Sequence, residues 1–173
     1  GIRGMGTTVR IVDERDRSLG EADGDRAMRE AHDGAIYLHR GRTYRIRHLD
    51  LEARRAVAEP ARVTYHTRAL SDEHTAIQAE RDHRRGRRLT ASFGDLRITT
   101  RVTGYERRNN ADGKRLDKQD LDLPATTFDS EGLWLSVTEA ARAMLVDGGF
   151  DQAGALHAAE HALIKLLPLF ALC

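Results

Sequence analysis

The hydrophobic period of this chain changes lastingly near Ser136, and that change limits what it can fold into. Before it, apolar residues alternate with polar ones in short runs broken by turn residues. After it, they recur at helical spacing. Thr8-Val-Arg-Ile-Val-Asp13 alternates, Asp13 to Ser18 turns, and Leu19 begins a return. Ala35 to His39 and Thr43 to His48 flank Arg40-Gly41, the spacing of a β-hairpin. Ala56 to Ala58 and Val63 to Tyr65 continue the meander around Pro60. One helical stretch, Asp23 to His32, interrupts it: Asp23 or Asp25 can cap, Ala27, Met28 and Ala31 form a stripe, and Gly34 ends it.

A second β segment follows. Thr75 to Ala79 leads into a charged stretch, Glu80 to Arg88, and Leu89 to Phe93 is expected to pair with Leu96 to Tyr105 across a turn at Gly94-Asp95. Asn109 to Lys118 reads as a polar loop. Leu121 to Pro124 and Leu133 to Leu135 read as edge or connecting strands. From Ser136 or Thr138, either of which can cap, a helix runs to about Val146 and breaks at Asp147-Gly-Gly149. A second helix runs from Asp151 or Gly154 toward Leu172, with Leu156, Ala159, Leu163, Leu166, Leu167 and Phe170 on one stripe and Pro168 ending its regular part. The fold class expected is α+β: a β-rich small barrel or bent antiparallel sheet, followed by a C-terminal helical hairpin. Three stretches are expected: 1–70, a barrel-like module with one short helix; 71–135, the second β segment; and 136–173, helical.

The 173 residues are 40% hydrophobic, enough for a core, and 32% charged, with a net charge of +1. Attraction to an anionic polymer must therefore come from local patches. The basic residues are almost all arginine, which suits bidentate phosphate or carboxylate contacts. One cysteine excludes an internal disulfide framework and suggests a reducing compartment. No signal peptide opens the chain, and no apolar run reaches the ~18 residues of a membrane span. A cytoplasmic chain with no membrane partner is expected. The most apolar stretch, Leu163 to Cys173, is the last, so the chain is expected to be a piece of a longer protein, with self-association through the exposed last helix as an alternative way to cover that face.

Three groups of residues carry candidate chemistry. Arg81, Arg84, Arg85, Arg87 and Arg88 surround Gly86 and could track a phosphate backbone; Glu80 and Asp82 could equally leave this stretch a balanced, solvated loop. Arg45 and Arg47 alternate with Tyr44 and Ile46, so the arginines share one strand face, a pattern that can serve single strands by charge and stacking while Tyr44 packs in the core. His157-Ala-Ala-Glu160-His161 fits the H-x-x-E-H arrangement of inverted zincin peptidases, with two imidazoles on one helix face and Glu160 as a base, but a third ligand is needed. Two histidines four apart can instead be packing groups. No G-x-x-x-x-G-K-[ST] or G-x-S-x-G motif occurs, so no nucleotide or hydrolase site is complete in these residues.

Three blocks in order, Gly34 to Tyr44, Arg101 to Tyr105 and His157 to Cys173, resemble the region after the RecA-like motor of MrfA-type DNA repair helicases. These are superfamily 2 proteins of the DEAD/DEAH-box kind, related to fungal RecQ-like repair helicases. The resemblance runs from about Ile2 to Cys173. It implies an ATP-dependent translocase moving 3′ to 5′ on DNA in repair, with ATP hydrolysis belonging to a motor outside these residues. It implies that residues 136–173 begin a C-terminal zinc-binding domain, and that Cys173 corresponds to a recurring family cysteine, a candidate first zinc ligand. The chain is then a non-catalytic accessory part that guides DNA or docks on the motor. Its partners would be single-stranded or forked DNA, through Arg84, Arg85, Arg87, Arg88, Arg45 and Arg47, and the motor domains of the same protein. It would hold no cofactor of its own, with zinc, ATP and magnesium expected in the longer protein.

Overall fold

The computed structural model describes residues 8–169. The fold is strand-rich α+β, as the change of period predicts. The chain divides into two compact units, each built from two stretches. The first comprises residues up to Ala76 together with Arg97–Ser130, and the second comprises Ile77–Leu96 together with residues from Glu131 onward.

The first unit holds a five-stranded sheet and most of the apolar core. Its elements are β1 (Val9–Asp13), β2 (Ser18–Ala22), α1 (Gly24–Glu30), β3 (Ile36–His39), β4 (Arg42–Asp50) and β5 (Arg55–Pro60), in strand order β2-β1-β5-β4-β3. Asp13 closes the β1–β2 turn by accepting the backbone N–H groups of Arg15 and Arg17 at 2.9 Å each. Those bonds, led by that from Arg17, hold its carboxyl below the usual carboxylate range. Asp23 caps α1 by accepting from Arg26 N at 2.8 Å. Arg40 and Gly41 both have positive φ, 48° and 75°, the requirement of a type I′ hairpin turn between β3 and β4. One pairing departs from the expected antiparallel sheet: β1 and β5 run parallel. The return strand, helix and hairpin between them bring the chain back in the same direction.

Val9, Ile11, Met28, Ala31, Tyr44, Ile46, Leu49, Ala56 and Ala58 are buried together, so Tyr44 is a core residue. Beside them His32 is fully buried, its ring 4.6 Å from that of Tyr105. Its Nδ1 lies 3.0 Å from the Asp33 carbonyl oxygen, which fixes the proton on Nδ1 and leaves Nε2 with no partner among the described residues. Burial pushes the His32 pKa below its ordinary value.

Two strands of 21 residues, β6 (Tyr65–Arg85) and β7 (Leu89–Asn109), run through both units. β7 pairs with β6, with β8 (Arg115–Asp120) and with β9 (Thr126–Val137). The expected turn at Gly94-Asp95 is absent: Gly94 lies inside β7, and the reversal falls at Gly86–Arg88, where Gly86 N donates to Leu89 O at 2.8 Å. Glycine at 94 serves close strand approach. A Cβ there would overlap the Ala79 carbonyl oxygen and sit 3.0 Å from Glu80 Cα. Gly104 does the same against β8, where a Cβ would fall 2.5 Å from the Gln119 oxygen. The Asn109 loop is shorter than the sequence suggests, because Arg115 to Asp120 pair with Gly104 to Arg108. In the second unit, α2 (Glu139–Asp147) and α3 (Gln152–Leu166) follow β9, broken at Gly148-Gly149, and a 3₁₀ turn, Leu167–Leu169, ends the regular helix at Pro168.

Two outcomes are expected. Gly94→Ala forces β6 and β7 apart and destabilises the chain by about 1–3 kcal/mol, read as a lower urea midpoint; an unchanged midpoint contradicts the close approach. His32 is neutral when folded and free to protonate when unfolded, so its effect is nil above the unfolded pKa of about 6.5. As pH falls below that value the unfolded state takes up the proton first, and stability declines until the lowered folded pKa is passed. Urea melts between pH 7.5 and 5 should show this loss reduced in His32→Phe.

Candidate nucleic-acid interface

The β6–β7 turn gathers the basic run predicted by the sequence. Arg84 and Arg85 end β6, Gly86 makes the reversal, and Arg87 and Arg88 lead into β7; all four arginines are exposed. A Cβ at Gly86 would stand 2.9 Å from the Leu89 oxygen, so the tightness of the turn depends on glycine. The tip backbone is held from the second unit's own helices. Thr138 N donates to Arg88 O at 3.0 Å, and the Thr138 hydroxyl lies 3.2 Å from Arg88 O and 3.4 Å from Arg87 O. The same hydroxyl caps α2 by accepting from Ala141 N at 3.4 Å. The carbonyls of the tip are thus occupied while its guanidinium groups stay in solvent.

Charge pairing separates these arginines from most others on the long strands, Arg68 on β6 being a further one in no ion pair among the described residues. Arg81, though in the same run, is bound to Asp95 at 2.5 Å and also to Glu131. Arg97 pairs with Asp129 at 2.8 Å, Arg101 with Asp122 at 2.7 Å, Arg107 with Asp117, and Arg108 and Arg115 with Glu106 at 2.7 and 3.5 Å. His83 lies 3.0 Å from Glu80. Among the described residues, no acidic side chain pairs with Arg84, Arg85, Arg87 or Arg88. An unneutralised cluster keeps its field for an external anion.

Arg45 and Arg47 are placed differently. They stand on β4 in the first unit, whereas the four tip arginines belong to the second. Arg45 Nη2 lies 2.5 Å from Glu59 Oε1, and Arg47 Nη1 lies 3.1 Å from Glu59 Oε2 and 3.9 Å from Glu14. The Arg45 hydrogen bond, then its charge and that of Arg47, hold Glu59 below the usual carboxylate range. A bulge between Ile46 and His48 makes Arg47 the extra residue, so the strict alternation read from the sequence fails after Ile46 and both Arg47 and His48 face solvent.

No family model matches the chain. Over 96% of its length it is 28% identical to 16% of the ATP-dependent helicase hrq1 of Schizosaccharomyces pombe. Over 76% it is 27% identical to 18% of the uncharacterised ATP-dependent helicase YprA of Bacillus subtilis. A crystal structure of the helicase MrfA bound to DNA superposes with a TM-score of 0.65 and 26% identity, over 76% of this chain and 18% of that one. The chain matches an MrfA-type helicase C-terminal region. It therefore spans less than a fifth of the length of these helicases.

Zinc finds no closed ligand set here: among the described residues no three His, Cys, Asp or Glu side chains converge, and Cys173 lies outside the described residues. His157, Glu160 and His161 all lie on α3, exposed. Among the described residues no helix is long and apolar enough to cross a membrane. Sequence reasoning missed Thr138 as anything but a cap. Its contact with the tip joins positions 50 residues apart, and no local signal carries that.

Removing the Thr138 side-chain oxygen should loosen both elements it holds. Thr138→Val is expected to cost about 1–2 kcal/mol, the range of a lost N-cap, and to speed amide hydrogen exchange at residues 86–89 as well as in the first turn of α2. Faster exchange in α2 alone would show that the tip is held by other contacts.

Proposed function

We propose that this chain is a non-catalytic accessory part of an ATP-dependent DNA helicase that translocates 3′ to 5′ and acts in repair, and that it contacts the DNA backbone through Arg84, Arg85, Arg87 and Arg88. One observation carries the DNA contact: four exposed arginines without acidic partners, on a turn whose backbone is tied to the N-terminus of α2. The fixed backbone limits the ordering cost of binding to the side chains. The similarity to helicases, one of them solved with DNA, supports the assignment of the anion as DNA. Polarity and repair rest on the resemblance of the three sequence blocks.

A second role, docking on the motor domains, is favoured by the second unit's helices. Met144, Val146, Phe150, Leu163, Ile164 and Leu169 are all exposed, and α3 buries no residue among those described. Such a face suits a partner surface of matching apolar character.

Fluorescence anisotropy with single-stranded and forked oligonucleotides across a salt series tests the DNA contact. Removing Arg84 and Arg87 together should weaken binding and reduce the magnitude of the log–log salt slope by about 1.4 on a single strand, at ~0.7 per phosphate contact. Arg45→Ala with Arg47→Ala should matter less, because Glu59 already meets those charges. Equal losses from the two pairs would show that acid pairing does not rank the arginines, and no loss from Arg84→Ala with Arg87→Ala would remove the tip from the interface.

A further inference from the structure

The DNA reading makes no use of the two imidazoles on α3. His157 and His161 stand one helical turn apart, and their Nε2 atoms face each other at 3.1 Å, with the rings edge to face at 81° and centroids 4.4 Å apart. Two ring nitrogens at this distance are joined either by a hydrogen bond from one N–H to the other's lone pair or by a metal bound to both. We propose that His157 and His161 form an open two-imidazole site for a borderline divalent transition-metal ion, Cu²⁺, Ni²⁺ or Zn²⁺.

Geometry favours this reading. Imidazole nitrogens bind such ions at ~2.0–2.1 Å, and a 3.1 Å separation then subtends about 98° at the metal. That angle lies between the ~90° of square-planar or octahedral ligands and the ~109° of tetrahedral ones. Glu160 supplies the outer partner. Its Oε2 lies 3.6 Å from His157 Nδ1, the ring nitrogen turned away from the pair. At that distance the carboxylate acts through its charge and not through a hydrogen bond, and that charge favours the proton on Nδ1 over Nε2. All three side chains are exposed, so an ion can reach the site without local unfolding.

The same arrangement argues against peptidase chemistry. Glu160 sits on the far nitrogen of His157, on the wrong side to act on a water bound to the metal. With only two protein ligands on α3, the remaining positions are open to solvent or to donors outside the helix. Four of the other histidines have neighbours of a different kind: His32 is buried against Tyr105, His48 is beside Asp33, His66 is beside Asn110 and His83 is beside Glu80. The site is thus a chelate of helix spacing, set by residues four apart.

The test uses the full 173-residue chain carrying Cys173→Ser, so that the lone thiol does not compete. Cu²⁺, Ni²⁺ and Zn²⁺ are titrated in turn against a chromogenic chelator. The expected result is one saturable equivalent, tightest for Cu²⁺. Either His157→Asn or His161→Asn should weaken binding at least tenfold, and Glu160→Gln about tenfold, the usual loss for an outer-shell partner. Saturable binding that survives in His157→Asn with His161→Asn, or no saturable binding in the parent chain, overturns the site and leaves a hydrogen-bonded pair. Should a variant misfold, carbethoxylation of the parent chain read by mass spectrometry decides the same question. Metal must protect His157 and His161 selectively, and equal labelling with and without metal refutes the site. DNA affinity reads the arginine tip on a separate element, so failure of either reading leaves the other standing.

Discussion

Backbone pairing along β7 is the constraint on which much of this structure depends. The strand runs from Leu89 to Asn109 without a break and is hydrogen-bonded to β6, β8 and β9. It contributes Val102 to the core of the first unit and a wall of the hairpin in the second. A strand of that length needs neighbours that come close without clashing. Gly94 and Gly104 provide this, each facing the backbone of an adjacent strand where a side chain would not fit. Arginine–carboxylate pairs then line its exposed positions. Singly they contribute little to stability in solvent. Together they match charges across strands and favour one register over its neighbours.

That pairing also explains where the molecule can act. A nearly neutral chain with many arginines could have spent them all on internal carboxylates. Arg81, Arg97, Arg101, Arg107 and Arg108 are spent in this way. At the β6–β7 turn no acidic side chain among the described residues pairs with Arg84, Arg85, Arg87 or Arg88, and these four keep their charge. Thr138 holds the tip from behind by its carbonyls, leaving its side chains outward. In the proposed function that uncompensated charge meets DNA, and the exposed apolar helices are a separate surface.

Local elements were legible in the residues wherever chemistry acts over a few positions. Asp23 caps α1, Arg40-Gly41 turns β3 into β4, Thr138 starts α2 and Pro168 ends the regular part of α3. Gly94-Asp95 misled for a definable reason: the dipeptide resembles a turn, but its glycine answers a neighbouring strand rather than its own backbone. The parallel pairing of β1 with β5 was equally hidden, since its partners are some 45 residues apart in register. Arg45 and Arg47 were legible as a shared face, but not as partners of Glu59, which comes from the next strand.

The sequence by itself determined the kind of element at each place, the location of the basic run and the i,i+4 spacing of two histidines, because periodicity, capping and turn chemistry are local. It also carried the family likeness, since three blocks in order survive without knowledge of their contacts. The tertiary structure alone decided which arginines are neutralised and which stay free, because that depends on what lies across the strand. It alone joined Thr138 to the hairpin tip. Such distances between side chains follow from chain path and rotamer, which no spacing in the sequence fixes.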